Sequence, residues 1–335
     1  MPQKRSKRSL EQNKGIVIKR ASEEDTPFEE ARFIKSDIGH HFASLFRPIS
    51  DKKGREKGRL VKWIWKFPEK KEYPGTVLIF DELEYEFACF EELGEDDLKV
   101  FLRLVQLAGI GKVVLDPWVK EYDGIDGKIV QQFYLFSDHI SCVENSRTLP
   151  VIRSSKLVSY SKFFSPFLRG RVGKNHIKQL ENSLIRLSRT TVTVTAKREG
   201  RKVRRMSSAL ISYAVNCETG RFFVAVNPFV ANAILGKPLG GYRPLIDAAI
   251  FQLKGTVAIV LSWLSAWLLP GKAGKISLDM LEEHIYGDKS KDRKIRYWRR
   301  RKLRKALEEI GKLRNWQITE VRKGVYELKR EEKKA

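Results

Sequence analysis

The chain has 335 residues, 65 of them Lys or Arg against 41 Asp or Glu, a formal net charge of +24 and 42% hydrophobic residues; its isoelectric point is near 9.9. That length accommodates two domains with cores of their own, and that hydrophobic share excludes a wholly disordered chain. The charge selects a polyanionic partner, nucleic acid or an anionic membrane surface.

No apolar run approaches the roughly 18 residues that a membrane span needs. The longest, Val257–Leu269, is interrupted by Ser262 and Ser265. The start MPQKRSKRSLEQ lacks the apolar stretch of a signal peptide, and Cys89, Cys142 and Cys217 lie far apart without metal-ligand spacing. The expectation is a cytoplasmic protein with reduced thiols and no membrane partner.

In chain order, residues 1–30 join a basic cluster (Lys4, Arg5, Lys7, Arg8) to an acidic one (Glu23, Glu24, Asp25, Glu29, Glu30) and read as a disordered tail. The basic half suits phosphate tracking and plain solubilisation equally. Leu60–Phe67 and Tyr85–Phe90 read as paired strands with Thr76–Phe80 between them, and Val130–Phe136 is a further strand candidate. Between these lies a helix from about Gly94 to Gly109, with acids in its first turn and a core stripe of Leu98, Phe101, Leu102 and Val105.

A short helix is expected over Ser159–Leu168, a turn over Gly170–Gly173, and an amphipathic helix over Lys174–Arg189. On the latter, Ile177, Leu180, Leu184 and Leu187 face inward, while Lys178, Gln179, Asn182 and Arg186 face outward. Amide and basic side chains on one face are the types that read adenine and guanine edges in a major groove. Thr190–Ala196 follows as a strand, then Lys197–Arg205 as a basic loop offering Lys197, Arg198, Arg201 and Lys202, then Met206–Asn216 as a returning strand. The turn CETGR leads on to Phe222–Val226. Helix, turn, helix and a β-ribbon with a basic tip is the winged-helix plan.

Gly236–Pro244 (GKPLGGYRP) is a Gly/Pro-rich linker, after which the same order recurs. The expected helices are Gly255–Leu269, a Ser277-capped one to about Tyr286, and Arg293–Leu313. Nine of the thirteen residues 293–305 are Lys or Arg. Ile295, Trp298, Leu303, Ala306, Leu307, Ile310 and Leu313 are assigned to its apolar face, and Lys294, Tyr297, Arg300, Arg301, Arg304 and Lys305 to its outward face. Arg299 and Lys302 fall near the apolar face, so the first half is expected to project beyond its own core. A solvated surface helix is the plain alternative, but such helices mix signs, and no acid appears here before Glu308. Trp316–Val321 and Val325–Leu328 pair around Arg322-Lys323-Gly324 as a second basic wing. The reading is an α+β chain: a tail over 1–30, one winged-helix domain over 31–238 and a second over 239–335.

Enzyme chemistry finds no support in the pattern. LLPGKAGKIS misses the phosphate-loop spacing in both alignments, and RGRVGKNH misses it too. His40 and His41 are adjacent where a DNA-nicking site needs two His one residue apart, and His139, His176 and His284 are isolated. No metal, cofactor or nucleophile–base set is expected.

Several blocks, in this order, carry a resemblance: SDIGHHFASLFRPI, LGEDDLKVFLRLVQLAG, GRFFVAVNPFVANAIL, WLLPGKAGKISLD and RRRKLRKALEEIGKLRNWQITE. Over about residues 35–330 the chain resembles the replication initiators of IncQ-type broad-host-range plasmids, the RepC family. It departs from them in its long basic N-terminal tail, an enlarged stretch between about Trp118 and Arg153, and the outward residues of both candidate reading helices. The resemblance implies a protein that binds directly repeated sequences (iterons) in double-stranded origin DNA, bends it, and helps open an A·T-rich region for a plasmid or host helicase and primase. It also implies a homodimer in equilibrium with monomer. A winged-helix transcriptional repressor is the competing class, and a basic RNA- or membrane-surface protein a third; two reading units on one chain favour tandem sites, and no aromatic RNA-binding run appears.

Overall fold

The structure is a computed structural model that describes residues 33–35, 45–49, 60–66, 82–109, 114–115, 121–122, 125–126, 131, 152–167, 171–216, 221–227 and 245–332. The expected tail over 1–30, the segment Thr76–Phe80, the linker Gly236–Pro244 and, but for Gln131, the strand candidate Val130–Phe136 lie outside those residues.

The elements run β1 (Phe33–Lys35), β2 (Leu60–Lys66), β3 (Glu82–Ala88), α1 (Glu95–Gly109), β4 (Val114–Leu115), β5 (Glu121–Tyr122), β6 (Ile125–Asp126), β7 (Ile152–Ser159), α2 (Tyr160–Phe164), α3 (Lys174–Ser188), β8 (Thr191–Arg198), β9 (Arg201–Ala209), β10 (Ile211–Asn216), β11 (Arg221–Val226) and β12 (Leu245–Asp247). A 3-10 turn over Ala248–Phe251 precedes α4 (Thr256–Trp267), β13 (Ala273–Ser277), α5 (Leu278–Tyr286), α6 (Arg293–Gly311), β14 (Trp316–Arg322) and β15 (Val325–Arg330). The larger sheets have the strand orders β2-β3-β8-β9, β10-β11-β7-β4 and β13-β15-β14.

Helix α1 is the hub. Acids fill its first turn, where the helix dipole favours them, and the Asp97 carboxylate accepts from Gly94 N at 2.8 Å. Burial extends well beyond the expected stripe, because every residue from Asp97 to Ala108 is buried. Its polar members are satisfied inside. Arg103 donates to Phe163 O (3.1 Å), Lys162 O (2.8 Å), Gln106 Oε1 (2.8 Å) and Ser165 Oγ (3.2 Å), closing the end of α2. Desolvation lowers the Arg103 pKa, and those four acceptors keep the guanidinium bonded.

The β8–β9 hairpin corrects the expected basic loop. Both strands run through Lys197–Arg205, and only Glu199 (φ 51°) and Gly200 (φ 73°) turn the chain. Two successive residues at positive φ form the tight turn whose twist matches the flanking strands. The expected strand Met206–Asn216 instead breaks at fully buried Leu210, where the chain leaves one sheet (β9) for another (β10). Seven strands among the described residues have no counterpart in the sequence reading: the short β1, β4, β5, β6 and β12, then β7, and β13, which lies within the Gly/Lys-rich stretch LLPGKAGKIS.

In the C-terminal part, α4 is apolar on all sides and buried from Ala258 to Ala266. Its first turn is served from α1: Gly255, at φ +57°, donates its N–H to the Glu95 carboxylate. Lys99 bridges Glu95 Oε1 (2.6 Å) and Leu253 O, while Phe251 packs on Phe167 at 5.0 Å between ring centroids. The other end of α4 is closed by the fully buried Arg330 of β15, which donates to Ser265 O and Leu268 O at 3.0 Å each. Ser277 caps α5 as expected, accepting from Met280 N at 3.2 Å. No helix among the described residues is long and apolar enough to cross a membrane.

Leu303, Ala306, Leu307 and Ile310 of α6 are buried in a core to which α4 contributes. Leu307→Ala is expected to lose about 2–5 kcal/mol of unfolding free energy, as lost transfer and an unfilled cavity. Urea denaturation checks this, and a loss below 1 kcal/mol (about fivefold in the equilibrium constant) would put Leu307 outside the core.

Candidate nucleic-acid interface

Helix α6 starts at Asp292, whose carboxylate accepts from Lys294 N (2.7 Å) and Ile295 N (3.2 Å). Its first turn carries no acid, and Arg293 and Lys294 oppose the helix dipole there. A cation at a helix N-terminus is disfavoured, each by about 0.3–1 kcal/mol, and an external anion relieves it.

The face that carries Leu303, Ala306, Leu307 and Ile310 in the second half carries Arg296, Arg299 and Arg300 in the first. These arginines lie on acids of α5 and the α5–α6 turn. Arg296 pairs with Asp279 (3.2 Å) and Glu282 (3.9 Å), and Arg299 with Asp288 (3.0 Å) and Glu282 (3.8 Å). Arg300 pairs with Asp279 and with Glu282 at 3.5 Å. Glu282 is fully buried; desolvation raises its pKa, against the lowering effect of the Ser290 backbone and of Arg299 and Arg296. The Arg299 guanidinium also lies 4.6 Å from the Tyr286 ring centroid.

Of the outward residues expected on α6, Lys294, Tyr297, Arg301 and Lys305 are exposed, whereas Arg300 is held by Asp279 and Glu282. Arg304 is half-buried and lies beside Tyr326 of β15, whose pKa desolvation and Glu320 raise against the lowering effect of Arg304. Trp298 joins the exposed set at 55% exposure, so Lys294, Tyr297, Trp298, Arg301 and Lys305 form one stripe at spacings i, i+3, i+4, i+7 and i+11. Ile295 is also exposed, at 46%. Both had been assigned to the apolar face. The missed signal is angular: at 100° per residue Trp298 sits about 130° from the centre of the Leu303–Ile310 stripe. Arg322 and Lys323 are exposed at the β14–β15 turn, which Gly324 makes at φ +75°.

The first candidate surface divides in the same way. On α3, Lys178, Gln179 and Asn182 share an exposed face with Asn175. Arg186 is turned inward: its Nε and Nη2 reach Asp97 Oδ1 at 2.9 and 2.8 Å, and Asp97 is fully buried. On the hairpin, Lys197 is bound by Glu82 (2.7 Å) and Glu84 (2.9 Å) of β3, whereas Arg198, Arg201 and Lys202 are exposed at the tip. Burial pushes the Cys89 thiol up to about 11, so it carries no thiolate chemistry at neutral pH. Among the described residues no group of three or more His, Cys, Asp or Glu could hold a metal ion.

Fold and surface together define a basic α+β protein whose exposed cations, among the described residues, include groups on α3, α6 and the tips of the β8–β9 and β14–β15 hairpins. The chain belongs to the Replication protein C (RepC) family, whose model matches residues 34–332. That membership supports a role as a replication initiator. No curated protein matches the chain. Two crystal structures of domains 2 and 3 of RctB, one a selenomethionine derivative, are similar at 9% and 11% identity with a TM-score of 0.41 each. They cover 84% and 87% of this chain and 92% and 96% of theirs; at that TM-score the likeness carries no conclusion about function.

The inward and outward arginines are expected to separate in a stability assay. Arg186→Ala strands the buried Asp97 charge and should lower unfolding free energy by about 3–5 kcal/mol. Arg301→Ala, on the exposed stripe, should change it by less than about 0.5 kcal/mol. Equal losses in chemical denaturation would refute the division.

Proposed function

We propose that this protein initiates plasmid replication by binding directly repeated duplex sequences at an origin through two winged-helix units. Binding bends the DNA and promotes opening of an A·T-rich region onto which helicase and primase load. The observation that carries this reading is the exposed set Lys294, Tyr297, Arg301 and Lys305 on α6, whose Arg296, Arg299 and Arg300 are anchored inward. The order α4, β13, α5, α6, β14, β15, with sheet order β13-β15-β14, supports the second winged-helix unit. For the first, α3 followed by the β8–β9 hairpin supports the same plan. Membership of the family supports the link to replication.

In this reading Arg301 reads base edges, as do Lys178, Gln179 and Asn182, whereas Arg198, Arg201, Lys202, Arg322 and Lys323 hold phosphates. The protein works in the cytoplasm without a catalytic centre, and exchanges between dimer and monomer. Opening draws on binding and bending energy together with negative supercoiling, so the pure protein neither nicks supercoiled DNA nor hydrolyses ATP.

Titration of a duplex selected from a random pool by the protein, beside a scrambled duplex, tests this at several salt concentrations. With about eight phosphates neutralised, log K should fall against log salt with a slope of about −7. Arg301→Ala should reduce the preference for the selected duplex by about 1–3 kcal/mol. Arg201→Ala should weaken both duplexes alike and lower the slope by about 1. A slope near zero would overturn the nucleic-acid reading, and covalent attachment to a DNA 5′ end would overturn the absence of chemistry.

A further inference from the structure

The outer face of α6 carries more than charge. Tyr297 is 61% exposed and Trp298 55%, on adjacent residues of one helix. Their rings meet edge to face, with centroids 5.8 Å apart and an interplanar angle of 76°. The Arg301 guanidinium stands 5.2 Å from the Trp298 ring centroid, and Lys294, Lys302 and Lys305 are exposed around the pair. Exposed tryptophan is poorly suited to reading duplex edges. The major-groove code is one of hydrogen-bond donors, acceptors and thymine methyls, and an indole offers a single N–H donor. What an indole and a phenol ring offer in quantity is flat π surface. Bases present their flat faces only when they are unstacked, and every base has one. Cations interleaved with exposed rings are the arrangement that holds a single strand: the cations track the phosphates while the rings take the bases.

We propose that Tyr297 and Trp298 form a stacking platform for unpaired bases, so that α6 binds single-stranded DNA as well as duplex. The proposal rests on the nucleic-acid reading of α6 and adds a second ligand to it. Trp298 takes a base on its ring, Arg301 beside it adds a cation–π contact, and Lys294 and Lys305 hold the flanking phosphates. A strand released when an origin opens is then captured by the helix that lies on the neighbouring duplex, which opposes reannealing.

The test uses the full chain and a single-stranded oligonucleotide of about 12 nucleotides, within the usual site size of such grooves, carrying one 2-aminopurine. Its affinity and fluorescence quenching are measured beside the affinity of the selected duplex, for the wild type, Trp298→Leu and Trp298→Phe. Leucine keeps apolar bulk and removes the π face; phenylalanine keeps a π face. Because Trp298 is exposed, both variants should retain the wild-type melting temperature, which is checked first. Trp298→Leu should weaken oligonucleotide binding by about tenfold and abolish the quenching, while Trp298→Phe stays within about threefold of the wild type. Duplex affinity should change by less than about threefold in both.

No oligonucleotide binding by the wild type would overturn the proposal. So would unchanged oligonucleotide binding in Trp298→Leu, which would assign the face to another ligand such as an acidic protein surface. Equal loss of duplex and single strand would make Trp298 a duplex contact and overturn it as well. Absence of duplex binding in the wild type would instead overturn the function proposed above, so the two failures are distinguishable.

Discussion

The candidate nucleic-acid surface depends on the clasp between α5 and α6. Glu282 is fully buried with its pKa raised by desolvation, and an unpaired carboxylate in that position would be strongly destabilising. Three arginines lie within 4 Å of it, two of which also bind Asp279 and the third Asp288. These contacts hold the first half of α6 without an apolar core beneath it. The helix can therefore present basic and aromatic residues on its outer side while its inner side is fixed by charge. A guanidinium suits this role because its planar fork bonds more than one carboxylate at once.

The same chemistry recurs at two helix ends. Arg103 closes the end of α2 and Arg330 the end of α4, each fully buried and each donating to backbone carbonyls. The last carbonyls of a helix carry partial negative charge and lack partners within the helix, so a buried cation there is compensated. Several of the chain's many arginines are thus structural. Net charge alone overstates the number available to a polyanion, and the inward set (Arg103, Arg186, Arg296, Arg299, Arg300, Arg330) shows why.

The sequence made the helices α1, α3, α4, α5 and α6 and the final hairpin legible because their apolar spacing and caps are local signals. Ser277 and the acids at the start of α1 are examples. It concealed β13, whose pairing with β15 is long-range and whose Gly/Lys-rich stretch has little β character. It also disguised the β8–β9 hairpin, where a run of cations outweighed the Glu-Gly turn signal. At the candidate site, residue types were legible but direction was not. Arg186 and Arg300 carry nothing in their own helices to reveal an inward partner, because Asp97 is 89 residues away and Asp279 is on another helix. Trp298 was misplaced because an apolar residue on a mixed helix was counted towards the core; a wheel centred on Leu303–Ile310 would have placed it outside.

The first turn of α1 holds two attachments within five residues of sequence. Asp97 grips Arg186 of α3, while Glu95 and Lys99 hold the segment that starts α4, whose side packs against α6. A single helical turn, about 5.4 Å of rise, thus sets the offset between the two exposed helix faces. In the function proposed above, that offset makes the molecule a gauge of fixed span. Two DNA segments held by these faces must, in that reading, keep a set separation, so inserting or deleting a base pair between them would rotate one contact by about a tenth of a turn out of phase.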